Sequence, residues 1–136
     1  MSTHLNAYLN FNGRCREAMT FYQQCLGGDL NLQKIAESPF AVQMPSEAGG
    51  NILHGSLTKD GVLLLMGSDM IGESPQQGNS VVLCIKCSTD EEITQCFTKL
   101  SAGGQVKMPL HQGFWGSTYG ELTDKFGMFW KFLRTR

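Results

Sequence analysis

His54 has the widest chemical reach of any side chain in this sequence. An imidazole titrates near neutral pH, so it can take a proton from a ligand or donate a hydrogen bond that fixes a carbonyl or phosphate. The bland role, a half-buried ring bonded to backbone, competes with both. Tyr119 and Glu121 add a phenol and a carboxylate, and Met66 adds soft apolar surface. Phe114 and Trp115 form an aromatic pair flanked by Gly113 and Gly116, suited to stacking on a flat ligand. His54, Met66, Phe114, Trp115, Tyr119 and Glu121 are therefore the candidate ligand contacts, and His54 is the candidate catalytic residue. Asp124 precedes a turn glycine and reads as a turn former. Arg14 and Arg16 read as surface residues. No Ser-His-Asp order, phosphate loop or nucleophile motif accompanies these residues, and no cofactor is expected.

The five cysteines, Cys15, Cys25, Cys84, Cys87 and Cys96, are an odd number without a secretory leader, which predicts reduced thiols in a cytoplasmic protein. Cys84-Ile-Lys-Cys87 has the spacing of a redox or zinc motif. It sits in an alternating stretch, however, and residues three apart on a strand point to opposite faces. No second Cys/His pair completes a zinc site.

The elements that position these residues follow a duplicated plan. Leu5 to Asn12 reads as a strand. Arg14 to Leu26 reads as a helix, with Ala18, Phe21, Tyr22 and Cys25 on one face, stopped by Gly27-Gly28. Leu30 to Glu37 reads as a strand and 38–50 as a loop. Ile52 to Lys59 and Val62 to Ser68 form a hairpin around Asp60-Gly61. After a linker at 71–78 the order repeats. Ser80 to Cys87 is a strand, and a helix capped by Thr89 and opened by Asp90, Glu91 and Glu92 runs to Ser101. Gln105 to Met108 is a strand, 109–116 a loop that carries His111, Phe114 and Trp115 and is able to act as a lid over a cleft, and Ser117 to Thr123 with Met128 to Leu133 a last hairpin. Phe21 and Phe97 each lie six residues before a glycine pair, at an offset of 76. Gly55 and Gly120 each lead into a hairpin turn, closed by Gly61 and Gly127. His54 and Tyr119 are therefore counterparts.

The chain of 136 residues is thus read as one α+β domain, 1–136, made of two tandem βαβββ modules, about 1–70 and 79–136. Each sheet has an apolar face to cover, and the expected result is an open mixed-sheet barrel with a cleft and helices outside. A concave face of that kind suits a small molecule. With 41% hydrophobic residues, wholesale disorder is excluded. With 11 basic and 12 acidic residues the net charge is −1, which argues against a nucleic-acid partner. No polybasic or long apolar run points to a membrane.

In its motifs the sequence resembles the vicinal oxygen chelate superfamily of glyoxalase I, bleomycin-resistance proteins and extradiol dioxygenases, and within it the PhnB-like branch. The matching segments are Tyr8 to Gly13, Glu17-Ala18, Phe21-Tyr22 before Gly27-Gly28, His54 to Leu57, Leu65 to Asp69, Phe114 to Gly116, Tyr119-Gly120, Thr123-Asp124, Phe126-Gly127 and Trp130. The branch carries the name 3-demethylubiquinone 3-methyltransferase. The glycine-rich turn after the first strand that a doubly wound S-adenosylmethionine sheet needs is absent here, so the name is not read as an activity. The resemblance implies a homodimer and, in metallated members, four ligands on the first and fourth strands of each module. Spacing places those near Ala7, Leu65, Leu83 and Lys131, none of them a usual ligand, and a one-residue register slip would offer Tyr8, Met66 or Cys84 without completing a quartet, so no metal is expected. It implies a small-molecule binding protein, with two alternatives: a metal-dependent lyase, isomerase or dioxygenase of the glyoxalase type, and a sequestering resistance protein.

Overall fold

In the computed structural model, residues 3–39, 50–70, 72–113 and 116–135 are described. The chain divides into two compact units, Met1–Gln76 and Gln77–Arg136, each with its own sheet and helix. The first holds β1 (Ala7–Phe11), α1 (Cys15–Leu26), β2 (Asp29–Lys34), β3 (Ile52–Lys59) and β4 (Val62–Asp69). A 3-10 turn, Ile35–Glu37, follows β2 and shortens the strand expected to reach Glu37. The second holds β5 (Leu83–Lys86), α2 (Asp90–Ser101), β6 (Gln105–Gln112), β7 (Thr118–Thr123) and β8 (Phe129–Arg134). The sheets have the same topology, β1-β4-β3-β2 and β5-β8-β7-β6. In each, the first and last strands pair in parallel and the other pairs are antiparallel. The fold is α+β, two tandem βαβββ modules.

Each helix covers one face of its own sheet. On α1, Ala18, Phe21, Tyr22 and Cys25 are all buried, as the helical period predicts. Burying side chains of this size is worth about 1.5–3 kcal/mol each for the larger ones. The N-terminus of α1 has no side-chain cap of its own. Instead Asp69, buried at the end of β4, accepts from Cys15 N at 3.0 Å and from Ile52 N at 2.9 Å, joining the starts of α1 and β3. On α2 the Thr89 hydroxyl accepts from Glu92 N at 3.0 Å, and the Glu92 carboxylate accepts from Ser88 N at 2.9 Å. Phe97 on α2 meets Phe132 on β8 edge-on, ring centroids 5.0 Å apart.

The glycines that mark the repeat have matching packing roles. A Cβ on Gly28 would lie 2.5 Å from the Thr58 carbonyl oxygen, and one on Gly104 would overlap that of Thr123. Both positions let the chain leaving the helix cross a hairpin strand at backbone contact. Gly55 and Gly120 lie beneath Leu32 and Leu110 of the neighbouring strands. Asp124 serves the turn: Oδ1 accepts from Phe126 N at 2.8 Å and Met128 N at 3.1 Å, and Oδ2 from Trp130 Nε1 at 2.8 Å.

Two expectations are corrected. The segment from Pro109 to Gln112, read as part of a lid loop, belongs to β6. Proline is tolerated there because β6 is the outer strand of its sheet and its pairing with β7 shifts register on both sides of Met108. The second correction concerns Ala7, Leu65 and Leu83. Ala7 pairs with Leu65, and both keep phase with Leu9 and Gly67, on the face that α1 covers. Leu83 pairs with Trp130, in phase with Phe132 on the face that α2 covers. Lys131 points the other way. The cause in the first module is a bulge: Leu57 pairs with Leu65 but Thr58 with Leu63, so one extra residue enters β4. Counting from the turn glycine therefore reaches Leu65 where the register equivalent of Lys131 is Met66. Phe114 and Trp115 lie outside the described residues.

Candidate functional site

The sheet faces turned away from the helices carry the chemistry. In the first module, alternation places Leu9 and Phe11 against α1 and turns Tyr8 and Asn10 outward. One row across this open face runs Tyr8, Met66, Ser56 and Asn31, each paired in register with the next. His54 stands beside Ser56 in the same phase, opposite Gln33. Its ring is exposed, and the Tyr8 hydroxyl lies 3.5 Å from His54 Nδ1, the outer limit of a hydrogen bond. The two rings are 5.9 Å apart and tilted at 37°. Met66, half-buried, fills the floor between Tyr8 and Ser56.

In the second module the matching face carries a denser polar set. One row runs Cys84, Lys131, Glu121 and Met108; the next runs Leu133, Tyr119 and His111. Tyr119 donates to Glu121 Oε2 at 2.7 Å. Burial, then this hydrogen bond, hold the phenol above its ordinary range, while Lys131 acts on it in the opposite sense. His111, placed on β6 rather than in a lid, meets the Tyr119 ring edge-on at 6.0 Å. Its Nδ1 lies 2.9 Å from the Pro109 carbonyl oxygen, a bond it makes as donor.

The structure thus brings together His54 and Met66 in one module and Tyr119 and Glu121 in the other. His54 and Tyr119 hold equivalent positions, each one residue before the glycine that faces its helix. The sequence offers Tyr8 only through a register slip and Lys131 only as a fourth-strand position, and it does not disclose the contact between His111 and Tyr119. Leu9 and Phe11 carried the signal for Tyr8, since apolar neighbours of that phase must face the core. Cys84, on β5, is exposed, and Cys87, one residue past the end of that strand, which the sequence reading carried through Cys87, is buried. The first- and fourth-strand positions on the open faces are Tyr8, Met66, Cys84 and Lys131. Among the described residues no three His, Cys, Asp or Glu side chains converge as a metal would need, and no helix is long and apolar enough to cross a membrane.

Two βαβββ modules with paired first and last strands define the vicinal oxygen chelate, or glyoxalase-like, class. A glyoxalase/bleomycin resistance protein/dioxygenase domain from Frankia sp. EAN1pec shares the fold at a TM-score of 0.68, over 100% of this chain and 93% of its own, with 11% identity. Within that class the chain belongs to the PhnB-like family whose model is described as 3-demethylubiquinone-9 3-methyltransferase, which matches residues 3–133. Protein PA1353 from Pseudomonas aeruginosa is similar at 33% identity and a TM-score of 0.85, covering 98% of both chains. The PhnB protein from Bacillus cereus is similar at 25% identity and 0.76, over 98% of this chain and 100% of its own. Protein YjdN of Escherichia coli strain K12 is 30% identical over 93% of this chain and 91% of its length.

Proposed function

We propose that this protein binds a small molecule on the open sheet faces without the metal quartet of its superfamily. His54 and Met66 make the contacts on the first module's face and Tyr119 and Glu121 those on the second's, and Phe114 and Trp115 belong to the set on sequence grounds. The observation that carries the reading is the exposed His54 ring beside the Tyr8 hydroxyl, at the position that Tyr119 fills, bonded to Glu121, in the other module. A histidine so placed can accept a ligand proton or donate to a ligand oxygen. The donor chemistry supports a metal-free site. Neither open-face pair, Tyr8 with Met66 or Cys84 with Lys131, suits a divalent cation, because a thioether is a poor ligand and an ammonium is none. The proposal includes a homodimeric, cytoplasmic protein with no nucleic-acid or membrane partner, which the near-balanced charge supports.

The test is a small-molecule fragment screen by NMR on metal-stripped protein. Binding that moves the His54 imidazole signals, and weakens roughly tenfold in His54→Ala, supports the reading. Binding that appears only after zinc, nickel, manganese or iron is supplied overturns it in favour of the metal-dependent alternative. Affinity indifferent to His54→Ala removes His54 from the site and favours the sequestering alternative.

A further inference from the structure

The second module's open face holds a fixed cation, a fixed carboxylate and a phenol between them. Glu121 and Lys131 are direct cross-strand partners on β7 and β8, so both project from the same face. Tyr119, two residues along β7, shares that face and spends its single proton on Glu121 at 2.7 Å. All three side chains are half-buried. Lys131 and Glu121 do not form an ion pair within 4.0 Å of each other. The phenol is oriented by its bond to Glu121 and by His111 against its ring edge. The face therefore offers donors from Lys131 alongside an acceptor from Glu121, on paired positions of neighbouring strands and of opposite charge. A plain carboxylate would use Lys131 but press an oxygen or methyl group against Glu121. A neutral amide would leave the ammonium without an anion.

We propose that this face takes a small carboxylate that carries a hydrogen-bond donor on the neighbouring carbon, with the carboxylate on Lys131 and the donor on Glu121. The assignment rests on the binding role proposed for Tyr119 and Glu121, and adds Lys131 as the residue that selects for charge. The ligand class is that of 2-hydroxy and 2-amino acids. Tyr119 bridges the two seats and keeps the Glu121 carboxylate aimed at the donor.

Lactate, propionate and lactamide separate the two requirements, because propionate lacks the hydroxyl and lactamide lacks the charge. Binding is read from the Tyr119 ring signals by NMR in metal-stripped protein, which has three tyrosines to distinguish. Lactate should bind at least about tenfold more tightly than either analogue, the range expected for losing one charge-assisted hydrogen bond. Lys131→Met should erase the preference over lactamide, and Lys131→Arg should restore it. Glu121→Met, which leaves no acceptor oxygen, should erase the preference over propionate while leaving that over lactamide. Equal affinity for all three probes, or a lactate preference untouched by Lys131→Met in a folded variant, overturns the inference. Protein that binds neutral fragments in the metal-free screen but ignores lactate overturns this inference and leaves the binding reading intact. Protein that binds no fragment at all overturns that reading as well.

Discussion

At the scale of the residue, function turns on pairs rather than single side chains. His54 takes its interest from Tyr8, and Glu121 from Tyr119 on one side and Lys131 on the other. The second cluster makes a direct prediction. Tyr119 is held above its ordinary range by burial first and by Glu121 next, with Lys131 opposing. Replacing Glu121 with Gln should therefore lower its titration midpoint, and replacing Lys131 with Met should raise it further. Phenolate absorbance across an alkaline titration reads both shifts; midpoints that stay put in both variants would show that the three groups do not interact. The pairing of His54 with Tyr119 was legible from sequence, because Gly55 and Gly120 mark equivalent places in the two hairpins. Lys131 was legible as a position but not as a partner of Glu121, since that depends on register. That Met66, rather than Leu65, is its counterpart follows from the bulge at Leu57 and Thr58, and no residue in that stretch announces a bulge.

At the scale of the element, the glycines separate into two kinds, and the difference can be measured. Gly104 meets the backbone of Thr123 and Asp124, so any side chain there forces backbone apart. Gly127 has open space around it but a φ of 88°. Gly104→Ala should cost about 3 kcal/mol, the upper end for overpacking, because its neighbours are main-chain atoms that cannot swing aside. Gly127→Ala should cost about 1–2 kcal/mol from conformation alone. Gly127→Asn should recover part of that, since asparagine tolerates left-handed backbone, whereas Gly104→Asn should not. Urea unfolding gives all four values, and a Gly104→Ala cost no greater than that of Gly127→Ala would contradict the close approach. Helices and hairpins were readable from the sequence for the same reason: periodic apolar residues end at glycines whose backbone roles leave few substitutes. The outer strand β6 was misread because Pro109 is a strong terminator in an inner strand and a tolerated residue in an outer, bulged one.

At the scale of the molecule, each module buries two thiols, Cys15 and Cys25 in one and Cys87 and Cys96 in the other. Burial is the first cause that pushes Cys15 in one unit and Cys87 in the other up to about 12, from 9.0. The unfolded chain ionises these thiols first. Their contribution to stability is thus complete below about pH 9 and lost as pH rises toward 12. Thermal unfolding midpoints should fall steadily over that window, and Cys15→Ala, which removes one of the two thiols, should make the fall shallower. A midpoint flat through the window would exclude such linkage. A chain built from two copies of one plan also faces a hazard during folding, because either helix can meet the wrong sheet. The helix-facing positions resolve it. Across from Gly55 in β3 stands Gly67, with the Met19 sulfur from α1 3.3 Å from where its Cβ would be; across from Gly120 in β7 stands Phe132, packed on Phe97 from α2. Docked on the other sheet, α1 would drive Met19 into Phe132, and α2 would leave a void above Gly67. At the offset of 76 the counterpart of Met19 is Gln95, which is exposed, so the repeat that builds the protein also carries differences that favour each helix on its own sheet.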